Sequence, residues 1–164
     1  MKLERWVNEM PDYTNSTNRS QYNQAPRNNE LTEQIMTFTD ESYVDEAESV
    51  IKEFAKLNFK YQRSNERRTD ELTTSQIRNL LTLTSNIYDE TKTKEFSQLL
   101  DKFSYLRIQF VYQSGRNRAV EYLVKRAGII HILTNKVNDN KSLIRFCRYM
   151  EALVAYFKYY GGAE

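Results

Sequence analysis

The stretch Phe103–Arg126, FSYLRIQFVYQSGRNRAVEYLVKR, decides how this chain folds. At about 100° per residue, Leu99, Phe103, Leu106 and Phe110 share one helical face. Tyr105, Ile108 and Tyr112 fall on the opposite face, leaving Lys102, Gln109 and Gln113 as a narrow polar sector. A helix that is apolar on two sides needs neighbours on two sides, which predicts the central helix of a bundle. Gly115 accepts the left-handed conformation common at helix ends, so the helix is expected to stop there. Arg116 and Arg118 follow beside the last carbonyls, where the helix dipole favours positive charge. The next helix therefore starts with two arginines at a corner.

Downstream, the spacing predicts a helix over 117–137, with Val120, Leu123, Val124, Ala127, Ile130 and His131 facing inward. His131 reads as a core residue bonded to a neighbour. Arg118, Lys125 and Lys136 line up on the other side, and Gly128 marks a possible bend. A last helix, capped by Asp139 or Asn140, runs to Tyr160 and stops at Gly161-Gly162. Leu143, Phe146, Cys147, Met150, Leu153, Val154 and Phe157 form its apolar stripe. Lys141, Arg145, Arg148, Ala152, Tyr156 and Tyr159 form the other face, a mix of basic and aromatic groups. Such a face serves either subunit contact or a nucleic acid, with cations on phosphates and rings on bases.

Upstream, Thr73 and Gln76 are spaced as a capping box, and Leu72 and Ile77 as a hydrophobic staple. The helix they start buries Ile77, Leu80, Leu81, Thr84, Ile87 and Tyr88, with Arg78 off the core. A first helix over 42–59, with Asp40 as N-cap, buries Val44, Ala47, Val50 or Ile51, Phe54 and Leu57. The polar connector 60–70 is expected to be a solvated loop. Residues 1–40 are rich in Asn, Gln, Ser and Thr, hold both prolines and lack sustained periodicity, so they read as a flexible tail. The fold predicted is all-α: one bundle of about five helices over 41–162.

Net charge is +2, but 102–164 alone holds 11 Lys/Arg against 4 Asp/Glu, which favours a polyanionic partner. No apolar run has the length of a membrane span, and the single cysteine excludes an internal disulfide, so the cytoplasm is expected. One Cys and one His cannot make a metal site, and no cofactor motif is present. The basic third lacks paired carboxylates for a metal-dependent nuclease or an acid–base pair for a metal-free one, so no enzyme is expected.

The segments LTTSQIRNLL (72–81), YLRIQFVYQSGR (105–116) and EALVAYFKYYGG (151–162), in that order on a helical chain, resemble the small subunit of type III-A CRISPR effector complexes. The resemblance covers about 42–162. It implies a non-catalytic, RNA-binding bundle that stacks with other copies of itself beside the backbone and large subunits, where guide RNA pairs with target RNA. By position in the shared segments, Arg78, Arg107 and Arg116 become candidates for RNA contact, with Lys158 a weaker one. Periodicity adds Arg118, Lys125, Lys136, Arg145 and Arg148. A protein that accepts any guide holds the sugar-phosphate backbone and leaves sequence to base pairing.

The alternative is a protein-interaction module without nucleic-acid contact, whose outward apolar positions would be Ile129, Ile132, Tyr149 and Tyr156. A DNA-reading helix at the Gly115 corner fits less well, because the helix before it is long and buried.

Overall fold

The core is built on the last helix, α6 (Asn140–Tyr159), in a computed structural model that describes residues 31–162. Its start is fixed by Asp139, whose carboxylate accepts the Ser142 amide at 2.7 Å, and it ends before Gly161, which sits at φ 83°. Leu143, Phe146, Cys147, Met150, Leu153 and Phe157 are buried, and Tyr149 joins them. α6 packs against α1 (Tyr43–Ala55) on one side and α2 (Thr74–Glu90) on the other. Beyond α2 lies α3 (Phe96–Arg116), which also meets α4 (Arg118–Arg126) and α5 (Ile129–Asn135). The all-α expectation holds, with six helices among the described residues.

The capping box opens α2 as predicted. The Gln76 amide donates to Thr73 Oγ1 at 3.3 Å and the Thr73 amide to Gln76 Oε1 at 2.8 Å. Ile77, Leu80, Thr84 and Ile87 are buried below it, and Leu72 is buried just before it.

The central position expected for α3 belongs to α6 instead. Leu99, Phe103, Leu106 and Phe110 are buried, but the opposite face has no covering element among the described residues. Tyr105 is 61% exposed, Ile108 59% and Tyr112 56%, with Val111 and Leu100 beside them. Gly115 does not stop the helix, which continues through Arg116. The break is the single extended residue Asn117 (φ −144°).

The helix predicted over 117–137 is two. Gly128 separates α4 from α5 at φ 56°, and a Cβ there would lie 2.4 Å from the Gln34 carbonyl oxygen and 2.8 Å from Met36 Cγ. The turn places Ile129 and Ile132 in the core rather than outward. Tyr149, also expected outward, is buried and donates its hydroxyl to the Ala127 carbonyl at 2.9 Å. Tyr156 is half-buried. His131, expected in the core, is half-buried, with Nδ1 3.2 Å from Asn135 Nδ2.

Residues 31–40, read with the tail, lie on the bundle, while 1–30 fall outside the described residues. The Gln34 amide donates to the Lys125 carbonyl at 2.9 Å, Glu33 accepts the His131 amide at 2.8 Å, and Met36 and Phe38 are buried. Phe38 holds a left-handed backbone, φ 55°, because both its ends are tied. Glu46 accepts its amide at 3.0 Å and that of Thr37 at 2.7 Å, and Arg145 donates to its carbonyl at 3.2 Å. The N-cap of α1 is therefore Ser42, not Asp40. Ala47, Val50, Ile51 and Phe54 are buried, whereas Val44 and Leu57 are exposed.

The connector is a solvated loop over 62–69, as expected, but its two ends pair as a short ribbon. β1 (Lys60–Tyr61) pairs antiparallel with β2 (Asp70–Glu71), Lys60 opposite Glu71 and Tyr61 opposite Asp70. Its entry turn bends through Asn58 and Phe59, both left-handed, and the Phe59 ring is anchored edge-on to Phe54 and Phe157.

Candidate nucleic-acid interface

The arginine corner is assembled from three parts of the chain. Asn117 Oδ1 accepts the Val120 amide at 3.0 Å, and Asp70 Oδ2, from β2, accepts the Arg118 amide at 2.7 Å. Two N–H groups at the start of α4 are thereby satisfied, one by a carboxylate at the positive end of the helix dipole. The Arg118 guanidinium grips Glu66 with two bonds, 2.8 Å from Nε and 2.7 Å from Nη2, and reaches Glu121 at 3.3 Å.

Glu121 is nearly fully buried and gathers three cations: Arg118, Lys125 at 3.1 Å, and Arg63 from the β1–β2 connection. Burial pushes its carboxyl up, but hydrogen bonds from Arg63 and Lys125 outweigh that and hold it below the usual carboxylate range. Arg118 does the same to Glu66. A cavity of about 350 Å³ opens here, lined by Arg63, Arg118, Glu121 and Lys125, with Val111 of α3 and Glu33 at its walls. A phosphate entering it would compete with carboxylates already in place, one of them buried, so these cations first serve to hold the ribbon to α4.

Arg145 is likewise engaged. Its Nε lies 2.6 Å from Asp40 Oδ1, Lys141 lies 2.9 Å from Oδ2, and the guanidinium sits over the Phe38 ring. Hydrogen bonds from Arg145 and Lys141 hold the Asp40 carboxyl at about 2. This group fastens 31–40 to α6.

The other five candidates differ. Arg78 on α2, Arg107 and Arg116 on α3, Lys136 at the end of α5 and Arg148 on α6 are exposed. Among the described residues no carboxylate pairs with any of them. Arg116 rests over the Tyr112 ring, 5.5 Å from its centre. The line expected through Arg118, Lys125 and Lys136 breaks at Gly128, so Lys136 follows a different helix axis. Lys158 is half-buried on α6.

Sequence reasoning passed over Arg63, Glu66 and Glu121. Glu121 carried a signal, since Arg118 and Lys125 stand three residues before it and four after it on one helix. Arg63 carried none, being 58 residues away.

Comparison with known proteins supplies the context for this surface. Residues 60–163 match the family model described as Csm2 Type III-A. The CRISPR system Cms protein Csm2 of Streptococcus thermophilus is 50% identical over 126 residues, 77% of this chain and 97% of that relative. The protein of the same name from Mycobacterium tuberculosis is 47% identical over 93 residues, 54% of this chain and 75% of the relative. That from Enterococcus italicus is 37% identical over 97 residues, 54% and 68%. The chain belongs to the Csm2 family, small subunits of type III-A CRISPR complexes.

Proposed function

We propose that this protein binds the sugar-phosphate backbone of target RNA, or of its duplex with the guide, without reading bases and without cutting it, inside a type III-A effector that defends the cell against foreign nucleic acid. The observation that carries this reading is the division among the cations. Arg118, Lys125 and Arg145 are spent on internal carboxylates, while Arg78, Arg107, Arg116, Lys136 and Arg148 stand exposed with none. Exposed cations without an internal carboxylate, Arg116 with only the Tyr112 ring beneath it, are available to phosphates, and such contacts carry no sequence information. Glu121, on which the cations of the basic corner converge, is tied by three of them and is poorly placed to act as a general base. Partners in this reading are guide and target RNA, the backbone and large subunits, and further copies of the chain, all in the cytoplasm.

The test is RNA affinity across a salt series, for the native protein and for a variant carrying Arg78→Ala, Lys136→Ala and Arg148→Ala. The native plot of log affinity against log salt should be linear and equal for unrelated sequences. The variant should lose about 0.7 in slope for each phosphate contact removed, with an unchanged circular dichroism spectrum. A slope unaffected by all three changes, or a base preference surviving high salt, would overturn the proposal. Absence of ultraviolet crosslinks between these helices and RNA in the assembled complex would favour a protein-interaction module instead.

A further inference from the structure

Of the four glycines in the chain, three are demanded by the fold. Gly128 and Gly161 hold left-handed backbones, φ 56° and 83°, and a Cβ on Gly162 would lie 2.3 Å from the Phe157 ring. Gly115 is the exception. It lies within α3, its backbone is not left-handed, and a Cβ there would meet no atom within 4 Å. Alanine would favour the helix more, so the fold gains nothing from this glycine. What the missing side chain leaves is open space at the wall of the cavity beside the arginine corner, which Gly115 lines. We propose that this cavity receives one unpaired base of a bound RNA strand, swung out of the stack, whichever base it is.

The lining selects the class of occupant. Val111, Val124 and Ile130 supply apolar wall, and 350 Å³ falls in the range of small-ligand sites, about 300–1,000 Å³. Three cations, Arg63, Arg118 and Lys125, are set against three carboxylates, Glu33, Glu66 and Glu121, so neither an anion nor a cation is favoured. Hydrogen-bonding capacity remains for a neutral group. Arg63 and Lys125 carry more N–H groups than their bonds to carboxylates use. Ser114 Oγ donates to the Phe110 carbonyl at 2.8 Å and keeps lone pairs to accept. A flat apolar ring edged with donors and acceptors suits such walls, and a nucleobase is that group. Long Arg, Lys and Glu side chains adjust to a purine or a pyrimidine, as a strand held without regard to sequence requires.

This inference rests on the RNA reading above, and Arg116 connects the two. It follows Gly115 directly, is exposed, and lies over the Tyr112 ring with no carboxylate partner among the described residues. A phosphate on Arg116 brings the adjoining base to the cavity, where residue 115 presents no side chain to block it. Burying the ring against Val111, Val124 and Ile130 offsets the stacking it gives up.

The test uses end-labelled single-stranded RNA with 2-aminopurine in place of adenine, a base that is quenched in the stack and brightens on leaving it. Binding to the full chain should raise the 2-aminopurine emission several-fold, while anisotropy of the end label reports total affinity separately. Gly115→Leu should remove most of the rise but weaken total affinity only a few-fold, because the phosphate contacts remain. Val111→Phe, at an exposed position of the same wall, should act alike and decides the matter should Gly115→Leu fail to fold. A strand that binds without any rise in emission, or a rise that the folded variants retain, would overturn the base cavity and leave the RNA reading standing. A strand that does not bind at all would overturn both. Free 2-aminopurine riboside bound as tightly as the strand would also overturn the proposal, in favour of a nucleoside ligand.

Discussion

α3 and α6 are nearly equal in length, 21 and 20 residues, and both carry apolar groups around most of their circumference. Yet α6 buries eight residues, Tyr149 included, and α3 buries four. The difference lies in the neighbours. α6 is flanked by α1 and α2 and crossed at its start by 31–40 through Arg145 and Lys141. α3 stands at the edge, with α2, α4 and α5 on one side of it only. Periodicity shows which faces are apolar, but the path of the rest of the chain decides which of them are covered.

Substitutions can break this comparison, and Phe146→Ala should do most. The Phe146 ring is fully buried edge-on to Phe110, at 5.9 Å between centres, so its loss should remove about 3–5 kcal/mol from urea unfolding. That is a large share of what holds an ordinary domain. Tyr149→Phe keeps the ring but strips the Ala127 carbonyl of its donor, and should cost about 1–2 kcal/mol in the same measurement. Faster amide exchange near Gly128 should accompany it. Ile108→Ala on α3 should cost under about 1 kcal/mol, since only a surface contact is lost and alanine favours the helix. If Ile108→Ala matched Phe146→Ala, the two helices would not differ in the way described.

Much of this was legible in the residues themselves. The Thr73–Gln76 box, the α6 stripe and the closing glycines are local devices whose geometry follows from spacing alone. Other features depend on distant partners. Ile129 and Ile132 read as outward only if the phase of α4 continues past Gly128, and the left-handed residue resets it. Residues 31–38 show no periodicity because single side chains, not a face, pin them: Met36 and Phe38 by burial, Glu33 by the His131 amide. The candidate site was half legible. Spacing singled out five of the basic residues and the family resemblance implied Arg78, Arg107 and Arg116, but which of them are engaged depends on Glu66, Asp40 and Glu121, contributed from across the fold.

Cys147 gives the core a built-in reporter. Its thiol is buried 3.7 Å from the Thr84 carbonyl oxygen, at the seam between α6 and α2, and burial pushes it up to about 12. Alkylating reagents and mild oxidants need an accessible thiolate, so the native molecule should be inert to both. As the chain has no other sulfhydryl, a single alkyl adduct by mass would mark the first time those two helices part in each molecule, a clock for opening that needs no added label site.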